Sequence, residues 1–433
     1  MGNLVCSLRR KVYFCSVKRV LTYLIYIYMP LALALMGVSC SDDEDSGAAP
    51  KKVIPGFPGQ RMERTAIIYM AGENSLAEFA NLDSMEIAQG LSSIPDYSRV
   101  VVYIDDTKSS RICAGSRTEK LQVVKTYDSN IISTIDEGMT RVLTDIIELY
   151  PAEHYGLTFW SHGSGWTIPT ARSVKSARRK AFGFDNGQRR GDSSSNFGPQ
   201  MDPITMRQVL SRFPHFDYVF FDACYMQCVE LAYELRGVTD YVIASPAEIP
   251  GPGAPYDFLL DAMCQVPADY AEIVDGYVDY YESPESGTTY PGAELSIIQT
   301  GALKDLANAT APIIQNLLGG RTEYPASGVQ KYCFDTRANA DYFDMKNWFY
   351  QALSPEEYAD WLAVYEQAVP YARLSKEWFS AQPSKKRRAV EDVEHCGGVS
   401  VFIPSKSYAQ KDWLERYHLL AWYEAVQMNQ TGW

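Results

Sequence analysis

Histidine is scarce in this chain, with 5 residues in 433. No two cysteines stand as C-x-x-C, which argues against a zinc knuckle or a redox dithiol. Basic residues are outnumbered, 40 Lys and Arg against 53 Asp and Glu, for a net charge of −13. Phosphate binding needs a basic surface, so a nucleic-acid partner is excluded. The acidic residues are too scattered to name a metal site, and there is no internal repeat. Apolar residues make up 46% and charged residues 21%, the balance of a globular chain long enough for two or three domains. Tyr is abundant, at 30 residues. Surface Tyr often contacts glycans or peptides, but half-buried rings in a large core are the simpler reading.

Uncharged apolar stretches of membrane length are limited to Val20–Val38, which follows the basic residues Arg9, Arg10, Lys11, Lys18 and Arg19. A basic head and an apolar run read as an export signal. The length also suits a membrane span, which needs roughly 17–25 apolar residues. Gly37-Val38-Ser39-Cys40 resembles a bacterial lipoprotein cleavage site, with Gly37 where Leu is usual. The acidic run Ser41-Asp42-Asp43-Glu44-Asp45-Ser46 resembles the tether of surface lipoproteins of Bacteroidetes-type bacteria. The expectation is a signal over 1–40, lipidation at Cys40, a Pro/Gly linker over 41–63, and an outer-membrane lipoprotein, at the cell surface or facing the periplasm. Beyond residue 40 lie Cys113, Cys224, Cys228, Cys264, Cys333 and Cys396. An exported chain could pair them, though their spacing is irregular and a core of this size needs no disulfide.

Short apolar runs read as buried strands: 66–72, 99–105, 154–162, 217–224 and 240–246. Helical patterns alternate with them, over Leu76–Gly90, Ile131–Tyr150, Thr205–Phe213 and Met226–Gly237. Such alternation predicts an α/β fold with a largely parallel sheet covered on both faces. The organisation read is a core over 64–256 and an extension over 257–433 that completes the sheet and packs helices on it. In the extension, residues 295–298 and 397–404 read as strands and 410–428 as a last amphipathic helix.

Sites in parallel sheets gather at the carboxyl ends of strands. His162, in FWSHGSGW, and Cys224, in DYVFFDAC, both fall there. A helix starting near Tyr225 would lower the Cys224 thiol pKa through its dipole, and a nearby His would supply the base. Taken singly, Cys224 also fits a small buried hydrophobe and His162 a surface-turn residue. Gly163-Ser164-Gly165 lacks the G-x-S-x-G elbow, so Ser164 is no hydrolase nucleophile. Bare backbone at Gly163 admits a substrate carbonyl and offers an oxyanion donor.

Taken together these motifs resemble the clostripain family of cysteine peptidases, in the caspase–gingipain–legumain clan. Residues 69–76 (YMAGENSL) look like its first strand and acidic-Asn-Leu turn. Residues 158–166 resemble its His motif, 221–226 with Glu230 its Cys motif, and 250–253 with Tyr256 its substrate-side loop. The resemblance implies a caspase-like αβα sandwich and a cysteine endopeptidase of peptide substrates. Cys224 would be the nucleophile and His162 the acid–base. The N–H groups of Gly163 and Cys224 would hold the oxyanion. It requires no cofactor and allows activation by calcium.

Cleavage after Arg or Lys is expected from pocket carboxylates. Asp222 matches one, with capping of backbone N–H groups as its other reading. The second acid is expected after Ser245, where Pro246 stands; Glu248 is the substitute. Residues 171–190 carry seven basic residues against one acid, Asp185. They read as an exposed loop cut during maturation after Arg172, Lys175, Arg178, Arg179 or Lys180, or else as a merely solvated loop. The competing reading for the whole chain is a non-catalytic surface lipoprotein binding peptide or glycan. A cysteine-dependent amidase or transpeptidase is a third.

Overall fold

Alternation along each strand decides the architecture. In the computed structural model, strand β1 (Met62–Ala71) sends Ile67, Tyr69 and Ala71 to one face and Ala66, Ile68 and Met70 to the other, all buried. Both faces being apolar, the strand is stable only between two layers. The structure describes residues 58–128, 130–168, 182–185, 198–283, 290–333, 342–380, 387–390, 392–409 and 412–433. The signal segment 1–40 with Cys40, most of the linker, and Arg172, Lys175, Arg178, Arg179 and Lys180 lie outside them. Among the described residues no helix is long and apolar enough to cross a membrane.

Among the described residues the sheet has nine strands. Its parallel centre is β2 (Ser98–Asp105), β1, β5 (Ala152–Trp160), β6 (Phe216–Asp222) and β7 (Thr239–Ala244), side by side in that order. Antiparallel strands extend both edges. β3 (Ser110–Ser116) and β4 (Gln122–Thr126) follow β2, while β8 (Glu294–Gln299) and β10 (Tyr371–Leu374) follow β7. One face is covered by α1 (Ala77–Gly90), α5 (Tyr256–Cys264) and α6 (Tyr270–Glu282). The other is covered by α2 (Asp136–Leu149), α3 (Pro203–Leu210), α4 (Val229–Leu235), α7 (Leu303–Leu318), α8 (Met345–Ala352) and α9 (Pro355–Ala368). The crossover from β1 to β2 uses the first face, and those from β5 to β6 and from β6 to β7 use the second. The strand order therefore reverses between β1 and β5, and the crevice at such a switch point is where α/β folds bind ligands.

These elements all lie within one compact unit, residues 54–282 and 290–433. The other grouping, 1–53 with 283–289, is outside the described residues apart from Ser283.

Several expectations need correction. The run 397–404 yields only a two-residue strand, β11 (Ser400–Val401), paired with β9 (Phe343–Asp344) away from the main sheet. Ser400 N donates instead to Gln227 O. The last helix is not continuous. It breaks into α10 (Trp413–Tyr417) and α11 (Ala421–Ala425), then a 3₁₀ turn over Met428–Gln430, with Gln427 at a left-handed φ of 53° just before that turn. Nor is all of 171–190 an exposed loop. Phe182, Gly183, Phe184 and Asp185 are buried, with Phe182 exchanging backbone hydrogen bonds with Met201.

Candidate active site at the strand ends

β5 and β6 run parallel, with Phe159 opposite Phe221 and Trp160 opposite Asp222. Equal overhangs then put His162 and Cys224 two residues beyond their strands, side by side. The contact between the two motifs is close. A Cβ built on Gly163 would lie 2.5 Å from Cys224 O, 2.9 Å from Met226 Sδ and 3.0 Å from Ala223 Cβ. Glycine is the residue that fits.

Cys224 is half-buried, whereas Cys113, Cys228, Cys264, Cys333 and Cys396 are all buried; none of the six forms a disulfide. Burial raises the Cys228 thiol well above its ordinary value and pushes Cys264 up to about 12. The Ile249 N–H points at Cys224 Sγ, at 3.4 Å, a donor that favours thiolate. The expected helix start at Tyr225 is absent. Tyr225 takes a left-handed φ of 64°, its N–H bonds Ala247 O, and its ring stacks on Tyr342 at 5.5 Å. The chain then runs extended through Cys228 before α4 begins at Val229. In place of a helix N-terminus, the 245–249 loop turns an N–H toward the Cys224 sulfur.

His162 is also half-buried. Its Nε2 is 2.9 Å from Ser75 Oγ, and Phe184 meets its ring edge-on, with centroids 5.7 Å apart. The Gly183 N–H donates to His162 O at 2.8 Å. Each of the other four histidines serves the surface: His154 bonds Asp217, His215 Asp240, His395 Asp392, and the His418 ring packs on Tyr423. In the sequence Ser75 is only part of a turn. Its position just past β1, whose end adjoins that of β5, was the available signal.

Asp222 ends β6 and is 3% exposed. Its Oδ2 accepts from Ala254 N at 2.9 Å and Tyr256 Oη at 3.0 Å, while Oδ1 is buried and has no hydrogen-bond partner among the described residues. Desolvation raises its pKa to about 6, against the lowering effect of those two bonds. Asp222 thus caps the 253–256 loop with one oxygen and keeps the other unused. Ser245 is buried, and its hydroxyl accepts from Ala247 N at 3.1 Å. Glu248 is half-buried next to Ile249.

The carboxylates are less scattered than the sequence suggested. Glu73, Asp105 and Asp185, all buried, bring ligand atoms within 4.8 Å of one another. Among the described residues Asp105 Oδ2 has no hydrogen-bond partner. An all-oxygen donor set of this kind fits a hard cation such as calcium. A separate cavity of about 740 Å³, lined in part by Tyr324, Lys331, Asn347 and Tyr408, includes neither His162 nor Cys224. The chemistry points to the strand ends instead.

A sequence profile of the clostripain family (peptidase C11) matches residues 68–433. Clostripain from Hathewaya histolytica is 27% identical over 180 residues, spanning 38% of this chain and 31% of that protein. The crystal structure of a secreted C11 cysteine protease from Bacteroides thetaiotaomicron, bound to an irreversible peptide inhibitor, superposes with a TM-score of 0.71. It is 29% identical, over 85% of this chain and 99% of that one. An inactive zymogen C11 protease from Parabacteroides distasonis superposes with a TM-score of 0.68 at 27% identity, over 86% and 99%. With this sheet order and these strand-end motifs, the chain belongs to the clostripain family and is a cysteine peptidase.

Proposed function

We propose that the chain is an exported cysteine endopeptidase working through a His162–Cys224 dyad. The observation that carries this is the pairing of accessibility with position. Cys224 is the half-exposed thiol among six, and the backbones of its motif and the His162 motif touch. The Cys224 thiolate attacks the peptide carbonyl, forming S–C. The C–N bond breaks as His162 gives its proton to the leaving amine. His162 then takes a proton from water, whose oxygen attacks the carbonyl carbon and releases the thiolate. The N–H groups of Gly163 and Cys224 hold the oxyanion between these steps.

Asp222, with Ser245 and Glu248 at the same edge, forms the specificity pocket, and Arg or Lys is the preferred residue before the cut. The unused Asp222 Oδ1 supports this, since a buried carboxylate is stabilised by a cationic partner. Maturation by cleavage after Arg172, Lys175, Arg178, Arg179 or Lys180 is supported by the basic run in the sequence and by the zymogen relative. Export, with lipidation at Cys40 and anchoring in the outer membrane, is supported by residues 9–46 and by the secreted relative. The partner is a protein or peptide; nucleic acid is excluded by charge. The dyad chemistry needs no cofactor. Calcium, where bound, would be held by Glu73, Asp105 and Asp185, neutralising their charge and tying the 73–75 turn to residues 182–185.

The test is a panel of fluorogenic peptides varied at the residue before the cut, with Cys224→Ala as control. Cleavage after Arg or Lys, absent in the variant, is expected. Cleavage that persists in the variant would refute the dyad, and cysteine-dependent cleavage after other residues would refute the pocket assignment alone.

A further inference from the structure

The Ser75–His162 contact has a chemical role available to it. Imidazole acid–base catalysis needs one ring nitrogen to exchange protons and the other to be held, because an unheld ring can adopt the wrong tautomer or turn away. We propose that Ser75 is a positioning residue. Its hydroxyl holds the Nε2 side of the ring and fixes Nδ1 as the nitrogen that trades protons with the leaving amine and the attacking water. This rests on the reading of His162 as the acid–base.

The Ser75 Oγ to His162 Nε2 distance, 2.9 Å, is that of a full hydrogen bond. Ser75 is presented by a braced turn. Asn74, 2% exposed, donates from Nδ2 to Ala71 O at 2.9 Å and Phe184 O at 3.2 Å, and its Oδ1 accepts from Leu76 N at 3.0 Å. The Gly72 N–H donates to Asp105 O at 2.7 Å, and Ser161 Oγ to Ala71 O at 2.6 Å. The turn after β1 and the residue before His162 are thus tied together, so the hydroxyl and the ring share one frame. Phe184 closes the ring from another side.

The proton count is consistent. In the imidazolium, Nε2–H donates to Ser75 Oγ and Nδ1–H is delivered to the amine as C–N breaks. In the acyl-enzyme, Nε2–H stays on Ser75 and the Nδ1 lone pair takes the proton of water. Ser75 accepts throughout, and it stabilises the charged form most.

A residue that only packed the turn would not move the pH profile, and this separates the two roles. Ser75→Ala should lower kcat by roughly 10- to 100-fold, the size expected for a hydrogen bond to a charged group. KM should stay within about twofold, because uniform binding is untouched. The alkaline limb of kcat/KM should move to lower pH, because the imidazolium that delivers the proton to the leaving amine loses an acceptor. Ser75→Thr and Ser75→Val have the same shape, so their ratio isolates the hydroxyl whatever either does to folding. Thr is expected to exceed Val by about tenfold or more. Equal kcat and pH profile in Thr and Val, with His162→Ala inactive, would overturn the role of Ser75 and leave the dyad standing. Activity in His162→Ala would overturn the dyad itself, and this inference with it.

Discussion

At position 163 a single methyl group separates a working site from a blocked one. The added Cβ of Gly163→Ala would stand 2.5 Å from Cys224 O, which forces the two motifs apart. Overpacking of this kind costs about 1–3 kcal/mol. A melting-temperature drop of a few degrees with at least a tenfold loss of kcat is expected. Unchanged activity would mean that the motifs are not in register as described. Asp222 is tested by pH. Its folded pKa, about 6, lies above its ordinary value. The folded state therefore binds the proton more tightly, and stability from this group is present at low pH and lost as pH rises from about 4 through 6. The loss is about 3 kcal/mol, and Asp222→Asn should flatten that part of the stability–pH curve. By the same titration, KM for peptides with Arg before the cut should rise as pH falls below about 6, while KM for uncharged analogues should not. His162 and Cys224 were legible because strand ends are where α/β sheets place chemistry. Ser75 was not, because a serine in a polar turn carries no periodic signal and its partner is 87 residues away.

Among elements, the parallel strands were the most legible, since runs such as Val100–Ile104 are apolar on both faces and fit few other structures. The edge strands β3 and β4 escaped notice. β4 is half-exposed or exposed at every residue and shows no apolar run. The α4 start was misplaced because nothing in Met226-Gln227-Cys228 breaks a helix, yet the three are buried in extended chain, with Tyr225 N donating to Ala247 O and Gln227 N to Ser245 O. Local pattern cannot foresee such a tertiary demand. Arg64 shows the opposite end of the sheet at work. It is fully buried at the start of β1, 2.9 Å from Asp217, with a further bond to Gln265 O. Arg64→Met removes the buried partner of a half-buried Asp217 that keeps its contact with His154, and should cost about 1–3 kcal/mol. Urea denaturation would read this as a lower midpoint, with kcat per folded molecule unchanged, because Arg64 lies at the far end of β1 from Ser75.

At the scale of the molecule, the peptidase is one sheet whose site is assembled from strands distant in sequence. A cut within 171–180 would leave β5 and β6 on different pieces, yet still laddered from Gly156 to Trp160. Phe182–Asp185 would remain held by Met201 and Ser133. The cleaved protein should therefore elute from gel filtration as one species and separate into two chains only in denaturant. Two species under native conditions would contradict the fold. The central claim is that Cys224 is the thiol activated by His162, and site-resolved alkylation by mass spectrometry tests it most directly. At neutral pH, Cys224 should react with iodoacetamide far faster than Cys113, Cys228, Cys264, Cys333 and Cys396, and lose that advantage in His162→Ala. Equal rates at all six, or a Cys224 rate indifferent to His162, would contradict the account.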